Sequence, residues 1–325
     1  MKKNPKFEKP LFIRMKETRK PSGRNRTITL SEADKVRLGG SVLVPGDLPE
    51  TLSFADVLIN GDLLEVLDLI PDSFADLVIA DPPYNLTKAF RSTRFSAMSQ
   101  DSYEDYLRTW MGGVCAKLKP GGSLYVCGDW KSSSSLQRVL EENLTVMNRI
   151  TWQREKGRGA SCNWKNSMED IWFAVKDPSS YYFDVEAVKL KRRVLAPYRE
   201  AGAPKDWIQT EEGKFRLTHP SNFWDDISVP FWSMPENTEH PTQKPEKLMA
   251  KLILASCPEG GVVFDPFAGS GSACVAARKL GRRYVGVEIE RDYCLLAAKR
   301  LEMAETDKRI QGYEDGCFWE RNALR

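Results

Sequence analysis

Beyond residue 50 the chain alternates short apolar runs with longer amphipathic stretches. The runs are Val57-Leu58-Ile59, then 75–80, 123–127, 261–264 and 284–287. The stretches at 103–118, 136–142, 247–256, 272–280 and 292–305 repeat apolar residues every three to four positions, which gathers them on one helical face. Strands interleaved with helices predict an α/β architecture on a mostly parallel sheet. Lys119-Pro120-Gly121-Gly122 supplies the stop between one predicted helix and the strand after it.

Two segments break the pattern. Residues 1–50 are rich in Lys, Arg, Pro and polar groups, with one apolar run, Ser41-Val42-Leu43-Val44, ahead of Pro45-Gly46; they read as an arm rather than a domain. Residues 186–239 contain the basic run Lys189-Leu190-Lys191-Arg192-Arg193, then Pro, Trp and polar residues without strand–helix alternation. Long segments of this kind in compact domains are usually functional. The segment is therefore the candidate for recognising a substrate, with an irregular surface insertion as the alternative.

Formal charge is +3 over 325 residues, but residues 1–26 hold ten Lys/Arg against Glu8 and Glu17, so the arm carries +8 and the rest −5. Such an arm suits either phosphate tracking or a solvated tail. The seven cysteines (115, 127, 162, 257, 274, 294, 317) are scattered with no Cys-x-x-Cys pair, and the histidines are His219 and His240. Neither a disulfide framework nor a metal centre is expected, nor acid–base chemistry built on histidine. No run approaches the roughly 18 uncharged apolar residues of a membrane span, and no apolar region follows the charged start; a cytoplasmic protein without membrane contact is expected.

Candidate chemistry sits where strands end. Asp81-Pro82-Pro83-Tyr84 follows the run 75–80 directly. Parallel sheets bind ligands at the carboxyl ends of their strands, and two prolines there stiffen a pair of acceptors, the Asp81 carboxylate and the Pro82 carbonyl. The pair suits the two N–H groups of an exocyclic amino group on adenine, freeing its lone pair for attack, while Tyr84 stacks on the ring. A plain Asp-Pro turn is the alternative. Phe264-Asp265-Pro266-Phe267-Ala268-Gly269-Ser270-Gly271-Ser272 also follows an apolar run and opens a predicted helix, with Glu288 ending the next run. Glycines at a helix N-terminus admit a nucleotide-like ligand, and Glu288 suits ribose hydroxyls. Cys274 stands where a dinucleotide fingerprint has its third Gly or Ala, and Asp265-Pro-Phe is foreign to that motif. In His240-Pro241-Thr242-Gln243-Lys244-Pro245, Lys244 and Thr242 suit a carboxylate, unless the segment only begins a helix.

Together, and in this order, the three segments resemble the β-group of DNA amino-methyltransferases of bacterial restriction-modification systems, over about residues 55–300. The resemblance implies that Asp81-Pro82-Pro83-Tyr84 is catalytic. It implies S-adenosylmethionine as cofactor, held by Asp265, Phe267, Gly269, Ser270, Gly271, Ser272, Glu288, His240, Thr242 and Lys244. Asp62 takes the place of a contact to the cofactor's adenine amino group, or else caps a helix ahead of Leu63-Leu64. The implied fold is a Rossmann-like methyltransferase with a seven-stranded, mostly parallel sheet, circularly permuted, carrying an inserted target-recognition region. Its strands one to four are 261–264, 284–287, 57–60 and 75–80; further strands lie at 123–127, 149–153 and 171–175, the last antiparallel. The divisions are an arm (1–50), a catalytic half (51–185), the target-recognition region (186–239), a cofactor-binding half (240–310) and a tail (311–325).

Double-stranded DNA is the implied partner, its target base flipped out to reach Asp81. Lys88, Arg91 and Arg94, in a mobile loop at 86–100, are expected on DNA, with Arg158, Lys191, Arg192 and Arg193. Arg154, Lys156, Asn163, Trp164 and Lys165 combine basic and aromatic groups nearby. Either a cognate restriction endonuclease, without a stable complex, accompanies such an enzyme or it stands as an orphan, and homodimers are frequent in the group. Asp81 favours adenine N6; cytosine N4 is the closest alternative, its enzymes usually carrying Ser there. Cytosine C5 chemistry lacks its Pro-Cys pair, protein-glutamine methyltransferases keep the cofactor loop first, and RNA is a lesser candidate. A nicotinamide-dependent oxidoreductase would explain Gly-x-Gly and Glu288 but not Asp81-Pro82-Pro83-Tyr84. A non-catalytic DNA-binding subunit would have no use for both loops.

Overall fold

In the computed structural model, which describes residues 23–48, 55–89, 94–154, 162–195 and 197–320, the apolar runs become strands whose order in space departs from their order in the chain. In chain order the main elements are α1 (Glu32–Leu38), β1 (Val57–Asn60), α2 (Leu63–Leu67), β2 (Ala75–Ala80), α3 (Gln100–Ala116), β3 (Leu118–Gly128), α4 (Ser133–Glu141), β4 (Thr145–Gln153), β5 (Met168–Val175), β6 (Leu190–Arg193), β7 (Ile208–Thr210), β8 (Gly213–Thr218), β9 (Phe223–Trp224), α5 (Glu246–Ser256), β10 (Val262–Asp265), α6 (Ser272–Lys279), β11 (Arg283–Glu288), α7 (Arg291–Thr306), β12 (Tyr313–Glu314) and β13 (Cys317–Trp319).

The main sheet runs β1-β11-β10-β2-β3-β5-β4-β9. From β1 to β3 neighbours are parallel; β5 is antiparallel to both β3 and β4. The permuted order is visible here: β10 and β11 come late in the chain yet lie between β1 and β2. Eight strands stand where seven were expected. The addition, β9, pairs parallel with β4, because Thr151 donates its N–H to Asn222 at 2.8 Å and the Trp152 indole N–H reaches the Ile227 carbonyl at 3.0 Å. That pairing covers an edge that would otherwise be open.

From Leu77 to Ala80, β2 reads as one continuous apolar run because both its faces are buried there, as parallel strands between helix layers require. Leu77 and Ile79 pack with Leu248, Leu252, Val275 and Leu301 of α5, α6 and α7; Val78 and Ala80 pack on the other face with Leu107, Trp110 and Val139 of α3 and α4. α3 is capped by the Ser99 side chain, which accepts the Ser102 N–H. Every residue of α5 is buried, since Val188 in the turn before β6 and a second sheet, through Leu190 and Phe318, pack with Ala250, Leu254 and Ala255.

That second sheet, β7-β8-β6-β13-β12, occupies much of the segment read as irregular and takes strands from the expected tail, with β13 parallel to β6. Its period-two pattern is hidden by basic residues. Leu190 and Phe215 are buried, while the Lys191 ammonium lies 3.9 Å from the Trp319 ring centre and 5.1 Å from that of Phe215, so a lysine covers aromatic surface with its stem and charge. The arm also holds structure that periodicity did not show. α1 opens on a capping box between Ser31 and Asp34, and Lys299 of α7 ties it down through Asp34 at 2.7 Å and the Thr29 carbonyl at 2.8 Å. Among the described residues no helix is long and apolar enough to cross a membrane.

α5 meets the segment before it through buried charge. Asp226 binds Lys247 at 2.7 Å and both its oxygens sit 2.8 Å from Lys251; burial draws the Lys251 pKa down to about 8. Asp226→Ala would remove the counter-charge of two buried ammonium groups and is expected to cost about 3–5 kcal/mol. The check is the urea midpoint, which should fall at unchanged slope; a midpoint equal to the parent's would show that the pairing carries no such weight.

Candidate active site

The carboxyl ends of β2 and β10 open side by side into a cleft of about 500 Å³. Ala80, opposite Val126, is the last paired residue of β2, and Asp81 follows it into the cleft. One Asp81 oxygen accepts the Tyr84 hydroxyl at 2.9 Å and the other accepts the Lys244 ammonium at 2.6 Å. Lys244 also lies 3.1 Å from the Tyr84 hydroxyl and 3.3 Å from Glu169 Oε2, and Arg154 clamps the other Glu169 oxygen. The Tyr103 hydroxyl holds the Pro83 carbonyl at 3.0 Å, so the motif is braced along its length. Burial pulls the Lys244 pKa down, but Asp81 and Glu169 more than reverse this and the group stays charged. Burial, then Asp81, pushes the Tyr84 hydroxyl well above its usual range.

The loop after β10 forms the opposite wall. Gly269 turns at φ 53°, where a Cβ would stand 3.0 Å from His240 Nε2, and its N–H donates to Glu288 Oε2 at 2.7 Å. The other Glu288 oxygen accepts the Glu290 N–H at 2.8 Å. Phe267 meets the edge of Trp110 with ring centres 5.0 Å apart, and His240 meets Tyr293 at 4.4 Å. Burial raises Glu288 to about 7 and lowers His240 to about 4, leaving His240 neutral at physiological pH. Beneath the loop, buried Arg300 holds the Ser270 carbonyl at 2.7 Å, the Ser272 hydroxyl at 3.1 Å and Glu246 at 2.9 Å.

Of the residues singled out in the sequence, Asp62, Asp81, Pro82, Pro83, Tyr84, Lys88, Arg94, His240, Thr242, Lys244, Phe267, Gly269 and Glu288 line this one cleft. Asp62 both lines it and caps α2 through the Leu64 N–H at 2.8 Å. Asp265, Ser270, Gly271 and Ser272 are brought close but do not line it: Asp265 accepts the Phe267 N–H at 3.1 Å, and Ser272 donates to the Lys244 carbonyl at 2.8 Å. Lys191, Arg192 and Arg193 lie apart, on β6, where Arg192 faces Glu320 at 3.6 Å and Arg193 lies over Phe215 at 5.7 Å. Arg91 and Arg158 fall outside the described residues. Sequence reasoning missed Glu169 and Trp110. The available signal for Glu169 was a pair of carboxylates, Glu169 and Asp170, opening a strand that is otherwise apolar, Met168-Glu169-Asp170-Ile171-Trp172.

Compared with known proteins, residues 75–299 match the DNA methylase family of N6 and N4 methyltransferases. The chain belongs to this DNA methylase family. The methylase is 32% identical over 256 residues to the DNA adenine methyltransferase YhdJ of Escherichia coli (strain K12), covering 77% of this chain and 84% of that protein. It is 30% identical to the type II methyltransferase M.HpaI of Haemophilus parainfluenzae, over 75% of this chain and 74% of that one. Among solved structures it is similar in fold to the cytosine-N4-specific PvuII DNA methyltransferase, with a TM-score of 0.56 and 20% identity over 75% of this chain and 85% of that one.

The methylase's loop has one position with no room for a side chain. Gly271, at φ 76°, would place a Cβ 2.6 Å from that of Ala297. Gly271→Ala is therefore expected to cost about 1–3 kcal/mol in equilibrium unfolding; an unchanged midpoint would mean that α7 gives way freely.

Proposed function

We propose that this chain is a site-specific DNA methyltransferase of the permuted β-group that methylates adenine N6 in double-stranded DNA. It uses S-adenosylmethionine and works in the bacterial cytoplasm, either beside a cognate restriction endonuclease to which it is not stably bound or as an orphan enzyme; the active species is a monomer or a homodimer. The observation that carries the reading is the Asp81 carboxylate beside the Pro82 carbonyl, at the end of β2, opening on the same cleft as Phe267, Gly269 and Glu288.

The donor set fits the cofactor. Phe267 and Trp110 make an aromatic wall for a purine, and the buried Trp110 indole N–H has no hydrogen-bond partner among the described residues. Asp62 suits the purine amino group, and each Glu288 oxygen, holding one backbone N–H, keeps a lone pair for a ribose hydroxyl. When bound, S-adenosylmethionine supplies an electrophilic methyl group. The chain's residues prepare the nucleophile. Asp81 and the Pro82 carbonyl accept the two amino N–H groups and favour a pyramidal nitrogen, Tyr84 stacks on the flipped base, and the apolar walls exclude water. Lys88, Arg94 and the exposed Trp164 and Lys165 offer charge and aromatic surface to DNA, and Asp81 favours adenine over cytosine N4 as the base.

Incubation with radiolabelled S-adenosylmethionine and unmodified genomic DNA, followed by digestion to nucleosides, should place label in N6-methyldeoxyadenosine. Label in N4-methyldeoxycytidine would overturn the base, and unlabelled DNA would overturn the substrate. Asp81→Ala is expected to lower turnover by about 10²–10³, as loss of a preorganised acceptor does, with cofactor affinity kept; parent-like turnover would remove Asp81 from the chemistry. Glu288 gives a pH signature. Its raised pKa, about 7, leaves it neutral at lower pH, so cofactor affinity should strengthen as pH rises through that value, by up to about tenfold per unit below it. Calorimetric titration from pH 6 to 8 tests this, and Glu288→Gln should flatten the curve.

A further inference from the structure

The sequence offers Lys244 to a carboxylate of the cofactor, yet the structure gives it to carboxylates of the protein. A lysine ammonium has three N–H donors. Those of Lys244 face Asp81 Oδ2 at 2.6 Å, the Tyr84 hydroxyl at 3.1 Å and Glu169 Oε2 at 3.3 Å, on a side chain only 7% exposed. Two of its donors are therefore committed to the catalytic motif, and its charge is paired with Glu169 of β5. We propose that Lys244 is a positioning residue for Asp81, fixing one carboxylate oxygen so that the other is aimed at the substrate, with Glu169 and Arg154 fixing Lys244 in turn.

The chemistry needs this. A carboxylate oxygen turned away would leave the amino N–H without the acceptor that frees the nitrogen lone pair for attack. The other ionisable groups around Asp81 add little opposing charge near neutral pH. Burial keeps Tyr84, Tyr103 and Cys127 in their neutral forms, holds His240 down at about 4 and lifts Asp265 to about 8. The charged neighbours are Lys88 and the Arg154–Glu169 pair. With Oδ2 held by Lys244, Oδ1 is the oxygen left for substrate, and the amino group takes it by displacing the Tyr84 hydroxyl, which rests there at 2.9 Å.

The inference rests on Asp81 being the acceptor of the methyltransferase reading, and two measurements separate them. Methyl transfer is followed for Lys244→Met, Lys244→Arg and Glu169→Gln with kcat and cofactor KM separated, and cofactor affinity is measured by calorimetry in the DNA-free proteins. Lys244→Met is expected to lower kcat by about 10²-fold, as loss of preorganisation does, with cofactor KM and affinity within about twofold of the parent's. Lys244→Arg, which keeps a cation beside Asp81, should recover about tenfold of that loss, and Glu169→Gln, which loosens Lys244, should lower kcat by about tenfold at unchanged cofactor affinity. Parent-like kcat in Lys244→Met overturns the proposal. So does a cofactor KM raised about tenfold with kcat kept, which would return Lys244 to the cofactor. If Lys244→Met does not fold, Glu169→Gln decides: a parent-like kcat or a loss of cofactor affinity of about tenfold there overturns the proposal. A parent that labels no DNA sinks the methyltransferase reading, while a calorimetric loss of cofactor affinity in Lys244→Met still overturns the role proposed for Lys244.

Discussion

The parallel contact between β2 and β10, with Val263 opposite Leu77 and Phe264 opposite Val78, is the constraint on which the site depends. Two loops far apart in the chain open at neighbouring strand ends, where the backbone stops pairing and its polar groups can serve a ligand. Sheet pairing brings the loops together but cannot set their separation to the precision that group transfer needs. Lys244 completes that task. Its side chain holds the motif after β2, and its carbonyl accepts the Ser272 hydroxyl at the start of α6, so one residue spans both loops.

The same arrangement explains how so much charge is buried. Lys244, Glu169 and Asp81 form one cluster, Arg300 and Glu246 a second, and Asp226, Lys247 and Lys251 a third. A buried charge is tolerable when its partners are fixed, and each cluster ties one segment to another: motif to helix start, α7 to α5, and the segment before α5 to its buried face. Apolar packing alone would tolerate small sliding of one element past another. Paired charges in a low dielectric penalise such sliding steeply, which suits a cleft whose two walls must keep register.

Legibility followed from which faces are buried. The core strands were readable because burial on both faces writes them as uninterrupted apolar runs, as in Leu77-Val78-Ile79, and the helices because their buried faces recur at helical spacing. The second sheet was not readable, since Lys191 and Arg193 occupy strand positions where their stems cover Phe215 and Trp319; a one-letter alternation of apolar and polar residues misses a lysine used as a lid. α1 was obscured by its short length and basic surroundings, although the Ser31 and Asp34 spacing of its capping box was present. At the site, the motifs located the cleft, but side-chain direction stayed hidden. Ser270 and Ser272 look like ligand donors in the sequence, yet they turn down towards Arg300.

Lys244 shows why direction matters more than residue type. A cation near a cofactor loop is chemically suited to a cofactor carboxylate, and nothing in His240-Pro241-Thr242-Gln243-Lys244-Pro245 says otherwise. What decides is a carboxylate from elsewhere in the chain, Glu169, that reaches the same ammonium from β5. Two carboxylates against one lysine leave a net negative charge, which Arg154 balances from the end of β4. Arg154 follows the carboxyl end of β4, and Glu169 stands at the amino end of antiparallel β5. The antiparallel insertion thus brings a charge pair to the face where parallel strands end, and this gives the placement of β5 between β3 and β4 a chemical consequence: it supplies the counter-charge that lets a lysine sit beneath Asp81.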